Sequence, residues 1–197
     1  MNRNGNRLSR RMFLGGACAA ALGARASVAR AHNVAGAVVP AVAPPPVSLT
    51  LDDGSAADLA TLLAGKLTAL QLMFTSCRGV CPIQGALFSS TAKRLGERVA
   101  AAQLVSVSID PDRDDPKALR AWLDKMGPSP RWRAARPEGK SLDPFVDFLR
   151  SRAKGPDSHT AQVYFFDRRG LMVLRSVDFP PATEIVRVLE ELEKKAT

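Results

Sequence analysis

Acid is absent from the first 31 residues of this chain, which instead carry six arginines (Arg3, Arg7, Arg10, Arg11, Arg25 and Arg30). That local imbalance makes most of the formal net charge of +9; the remainder holds 22 basic and 19 acidic residues, a net of +3. No basic stripe with interleaved aromatics accompanies it, and only 6% of residues are aromatic, so the charge does not mark a nucleic-acid binder. There is also no apolar run near the ~20 residues that a membrane-spanning helix needs; the mildly apolar stretch Met12 to Leu22 is about half of that. Asp110-Pro111-Asp112-Arg113-Asp114-Asp115 lacks the glycine and terminal glutamate of a calcium loop and reads as a turn and helix start. No internal repeat is visible. Soft metal donors are scarce: three cysteines and two histidines in 197 residues.

What is present begins with an export signal. Ser9-Arg10-Arg11-Met12-Phe13-Leu14 matches the twin-arginine pattern, with Gly15 where a lysine is often seen, and Ala29-Arg30-Ala31 supplies an A-x-A cleavage site. Cys18 is no lipobox cysteine, because Gly15 stands where a leucine is wanted. Residues 1–31 are thus read as a signal peptide and 32–46, rich in Ala, Val and Pro and ending in Pro44-Pro45-Pro46, as a linker without a core element. Residues 47–197 form one domain. Cleavage after Ala31 leaves two cysteines, and export to an oxidising compartment lets such a pair close a disulfide. The localisation this implies is periplasmic, with weak membrane association if the signal stays uncleaved.

Within the domain, Val47 to Leu51 alternates as a strand closed by the turn Asp52-Asp53-Gly54. Leu67 to Thr75 and Leu104 to Ile109 are apolar enough for central strands. A helix is predicted from the cysteine turn to about Val99, and a second after Asp115-Pro116, an N-cap and N1 pair. Trp132 to Ala135 reads as a short strand. Leu142, Phe145, Val146 and Leu149 recur at helical spacing. Gln162 to Asp167 and Leu171 to Val177 flank Arg168-Arg169-Gly170 as a hairpin, and a last helix spans about Thr183 to Lys195. A β-α-β start with a β-β-α ending is the thioredoxin-like order, an α/β fold with a central mixed sheet flanked by helices.

The chemistry gathers at Cys77 and Cys81, which bracket a turn between an apolar strand and a helix, with Pro82 suited to the first helical turn. The helix N-terminus and Arg78 favour the thiolate, the form that reacts and binds metal. With three intervening residues both sulfurs can converge on one atom, and two thiolates suit Cu(I), with Zn²⁺ the main competitor. His159, before the strand that begins near Gln162, is the candidate third ligand, a set also tolerable for Cu(II). Other readings stay open: a structural disulfide, a catalytic dithiol without metal, and a solvated loop role for His159. His32, the mature N-terminus after such cleavage, is read as a frayed tail rather than a terminal copper chelate.

Three segments together resemble the SCO/SenC family: Phe74-Thr75-Ser76-Cys77-Arg78-Gly79-Val80-Cys81-Pro82; Val107-Ser108-Ile109-Asp110-Pro111-Asp112-Arg113-Asp114; and Ser158-His159 before Val163-Tyr164-Phe165-Phe166-Asp167. The resemblance implies a thioredoxin-like fold, copper held by Cys77, Cys81 and His159, and delivery to an oxidase subunit or another cuproprotein, such as the binuclear copper site of cytochrome c oxidase. It equally implies the alternative of a thiol–disulfide oxidoreductase acting on target cysteines through Cys77 and Cys81; a peroxidase or redox sensor is a third reading. Two departures stand out: Arg78 and Gly79 occupy positions where many members carry a proline and an acidic residue, and a twin-arginine signal replaces the usual membrane tether. Thioredoxins place a cis-proline before the strand facing the dithiol, whereas Ser158-His159-Thr160-Ala161 contains none.

Overall fold

The computed structural model describes residues 35–96, 99–152 and 159–196. The signal peptide with Cys18, and His32, lie outside them, as do residues 153–158 just before His159.

Two strands, β4 (Leu67–Met73) and β5 (Ala102–Ser108), are buried at every position. Their largely apolar sequences fit strands covered on both faces. They pair in parallel, and β5 pairs in parallel with β6 (Trp132–Pro137). On the far side of β4, β7 (Tyr164–Phe166) runs antiparallel and turns back as β8 (Met172–Arg175). Beyond β6, β2 (Ser48–Leu51) and β3 (Ala56–Asp58) add antiparallel neighbours. With β1 (Gly36–Val42) at the other end, the mixed sheet has eight strands in the order β1-β8-β7-β4-β5-β6-β2-β3.

Because side chains alternate across a strand, each central strand feeds two cores. On one side Leu67, Ala69, Leu104 and Trp132 meet Phe88 of α2 (Val80–Leu95), Leu119 and Trp122 of α3 (Pro116–Met126), and Ile185 and Leu189 of α5 (Ala182–Ala196). On the other, Leu70, Leu72, Val105 and Val107 meet Leu59 and Leu63 of α1 (Leu59–Leu63) and Phe145 and Leu149 of α4 (Leu142–Leu149). Among the polar groups buried beside the first core, Ser106 Oγ accepts from both Gln71 Nε2 and Trp132 Nε1, each at 2.9 Å. Among the described residues no helix is long and apolar enough to cross a membrane.

The linker reading of 32–46 is corrected over Gly36–Val42. That segment is β1, antiparallel to β8 with Gly36 opposite Arg175 and Val42 opposite Met172. Composition hides it because a mostly exposed edge strand needs little hydrophobic alternation, and Pro40 is tolerated there. Residues 43–47 do form no regular element. The strand β3 and the five-residue α1, between the first turn and β4, also escape the sequence pattern. The helix expected to reach Val99 stops at Leu95, where Gly96 turns out at φ +45°.

Candidate metal centre

The C-terminal end of β4 delivers the chain into the turn Phe74–Gly79, whose closing bond runs from the Cys77 amide to the Phe74 carbonyl at 3.1 Å. Gly79 is the N-cap of α2, so Val80, Cys81 and Pro82 are its first three residues. Pro82 needs no amide partner at that place. The Cys81 amide, which at a helix start has no intrahelical carbonyl to bond, donates to Cys77 Sγ at 3.4 Å. Both residues are thiols, not joined to each other; Cys77 is half-buried and Cys81 wholly buried.

His159 is 4% exposed, and its Nε2 stands 4.0 Å from Cys81 Sγ, although 78 residues separate the two. Its Nδ1 lies 2.8 Å from the Thr160 carbonyl. A carbonyl only accepts, so Nδ1 carries the proton and the Nε2 lone pair is left toward the sulfur. The Phe74 ring meets the imidazole edge to face, with centroids 6.2 Å apart and planes at 84°. The backbone here is fastened from both sides. His159 bridges to Arg152, the Thr160 amide donates to the Ser151 carbonyl at 2.8 Å, and the Ala161 amide donates to Asp178 Oδ1 at 2.8 Å. Thr160 Oγ1 also pairs with the buried Tyr164 hydroxyl at 2.9 Å. Burial pushes that phenol up to about 12, only partly opposed by its hydrogen bond with Thr160.

The third fixture is Asp114, fully buried at the end of the aspartate-rich segment. Its carboxylate accepts from the Thr75 amide (3.0 Å), the Thr75 hydroxyl (2.5 Å) and Ser108 Oγ (2.6 Å). It therefore locks the cysteine turn to the end of β5. The next residue, Asp115, caps α3 by accepting from the Ala118 amide at 2.7 Å, as the sequence predicts.

The fold thus brings His159 to Cys81, and ties Cys77 to Cys81 through the helix-start amide. Among the described residues, however, no three His, Cys, Asp or Glu side chains stand ready around one point. The donor chemistry nonetheless fits a soft cation: two sulfurs on one turn and an imidazole nitrogen whose other nitrogen is already committed. Sequence reasoning passes over Asp114, Thr75, Ser108 and Phe74 as parts of the site. For Asp114 the available signal is its position in an acidic run that cannot be a calcium loop, yet lies next to a buried strand.

The sequence matches the SCO1/SenC family over residues 42–195. No curated protein matches it. Among solved structures, it is similar to the copper-bound ScoI of Bradyrhizobium japonicum at 23% identity and TM-score 0.64, over 77% of this chain and 99% of that one. A SCO1/SenC family lipoprotein from Bacillus anthracis aligns at 27% identity and TM-score 0.66, over 78% and 96%. BsSco, described as a member of the Sco family of cytochrome c oxidase assembly proteins in which a disulfide switch was identified, aligns at 20% identity and TM-score 0.67, over 79% and 95%.

Proposed function

The chain belongs to the SCO1/SenC family, and from that premise we propose that it is a periplasmic copper metallochaperone, exported by the twin-arginine route and delivering its ion to a cuproenzyme such as an oxidase subunit. Copper is its cargo. Cys77, Cys81 and His159 are the ligands in this reading. The observation that carries it is the imidazole whose Nδ1 is spent on Thr160 while Nε2 faces Cys81 Sγ at 4.0 Å. The copper-bound Bradyrhizobium japonicum relative, the oxidase-assembly role given to BsSco and the lipoprotein from Bacillus anthracis support cargo, destination and export in turn.

On this reading the residues act in a defined way. The two thiols lose their protons to solvent as copper displaces them, and the Cys77 side chain swings in to complete the set. His159 offers Nε2 without changing tautomer. Asp114 and the Ser151–Thr160 bond keep the two halves of the site in place. Release proceeds by ligand exchange: an acceptor thiol or imidazole replaces one donor at a time, and the oxidation state of the ion does not change.

The test is a Cu(I) titration of the reduced protein against a competing chelator, repeated with Cys77→Ser and His159→Ala. Each variant is expected to bind at least tenfold more weakly. Equal affinity in all three proteins would reject the assignment. A second reading, thiol–disulfide oxidoreductase, is favoured by the helix-start amide on Cys77 Sγ and by the disulfide switch identified in BsSco. It predicts that metal-free His159→Ala protein turns over a disulfide substrate at the wild-type rate.

A further inference from the structure

Cys81 is wholly buried and His159 nearly so, which leaves Cys77 as the donor that an arriving ion can reach. Beside Cys77 lies a cavity of about 300 Å³ between the cysteine turn and α3, lined by Thr75, Cys77, Pro82, Trp122, Lys125 and Met126 among others. It holds a second soft donor, the Met126 thioether. That side chain is half-buried at the end of α3 and lies over Gly85, one helical turn beyond Cys81. The fit depends on glycine: a Cβ at position 85 would come within 2.5 Å of Met126 Sδ and 2.8 Å of its Cγ. A side chain there would displace the sulfur from this wall.

We propose that this cavity is the entry and exit path for Cu(I), with Met126 Sδ as a transient ligand that hands the ion to Cys77. This deepens the copper-carrier reading and rests on it. Thioethers and thiolates both prefer Cu(I), but a neutral thioether gives the ion up readily to an anionic thiolate. The step is a ligand exchange without redox change. A Cu–S bond to the carrier that brings the ion breaks as one to Met126 forms. That bond then breaks as the Cys77 thiolate binds, and the thiol proton leaves to solvent.

A transient ligand alters the rates of loading and unloading equally and leaves the final affinity unchanged. The experiment is stopped-flow transfer of Cu(I) from a chromophoric chelator to the full-length reduced protein, and back again, with equilibrium affinity measured in parallel. Met126→Leu keeps the volume and removes the sulfur; Gly85→Ala keeps the sulfur and displaces it. Both are expected to slow transfer in each direction at least fivefold, with affinity within twofold of wild type. Transfer by Met126→Leu at the wild-type rate would overturn the proposal. So would a loss of affinity matching the loss of rate, which would make Met126 a resting ligand. If wild-type protein takes up no Cu(I) at all, the carrier reading fails and this path with it; uptake that depends on Cys77 and His159 but not on Met126 sinks the path alone.

Discussion

The Asp114 carboxylate binds both the amide and the hydroxyl of Thr75, two residues before Cys77, and the hydroxyl of Ser108 at the end of β5. A buried acceptor of three hydrogen bonds cannot be lost without stranding its donors. Asp114→Ala is expected to cost about 3 kcal/mol in urea unfolding, from unsatisfied donors and lost charge-assisted bonds. It should also weaken Cu(I) binding at least tenfold, because the cysteine turn loses its tie to the sheet. A variant with the wild-type unfolding midpoint would show that the carboxylate does not organise the turn.

Gln84 lies on α2, three residues after Cys81 and 2% exposed, and neither its side-chain oxygen nor its nitrogen finds a hydrogen-bond partner among the described residues. A buried amide in that state is a cost, commonly ~1–3 kcal/mol. Gln84→Leu, of similar volume, should therefore raise stability by about 1 kcal/mol, read as a higher midpoint in chemical denaturation. A fall in that midpoint would mean the amide is paired in solution.

Tyr164 is the chain's only tyrosine, so phenolate absorbance reports on it alone. Burial raises its folded-state value to about 12, against about 10 for an unfolded tyrosine. The fold favours the neutral phenol. The stability this contributes is full below about pH 10 and is lost as pH rises through about 12. Alkaline titration of folded protein should show the phenolate appearing near pH 12, and in denaturant near about pH 10. Thr160→Val, which removes the bond that opposes the shift, should move the folded midpoint higher still; a downward move would contradict the assignment.

The edge strand β1 covers β8, and Val38 and Val42 pack against the second core. A chain starting at Ala43 should be less stable than one starting at Asn33 by about 1–3 kcal/mol, the scale of burying one or two apolar side chains. It should also associate as concentration rises, because β8 becomes an open edge. Sedimentation velocity at two concentrations reads the second effect; identical profiles for both chains would argue that β1 is dispensable.

The fold was legible where burial imposes periodicity. The stretches read as central strands, Leu67 to Thr75 and Leu104 to Ile109, coincide to within two residues at each end with β4 and β5 because both faces are covered, and Asp115-Pro116 announces a helix start through cap chemistry that is wholly local. Gly36–Val42 was illegible for the opposite reason: its burial is slight and its pairing with β8 is a tertiary fact. The short β3 and α1 carry too few residues for a period to emerge. Cys77, Cys81 and His159 stand out in the sequence as scarce residue types, and the fold brings the last two to 4.0 Å. Asp114 does not stand out, since nothing local distinguishes the carboxylate that turns inward from its acidic neighbours. Gln84 and Met126 take their interest from what does or does not stand beside them, which composition does not record.

The antiparallel insertion of β7 beside β4 has a consequence for the order of events in the life of the molecule. The His159 imidazole is encoded 78 positions after Cys81 and arrives beside it only when that late strand docks. A partly synthesised chain, or one whose last third has come undone, carries the thiols without the ring beside Cys81. On the copper-carrier reading only the finished polypeptide could act as a vessel, so loading would itself report that assembly is complete.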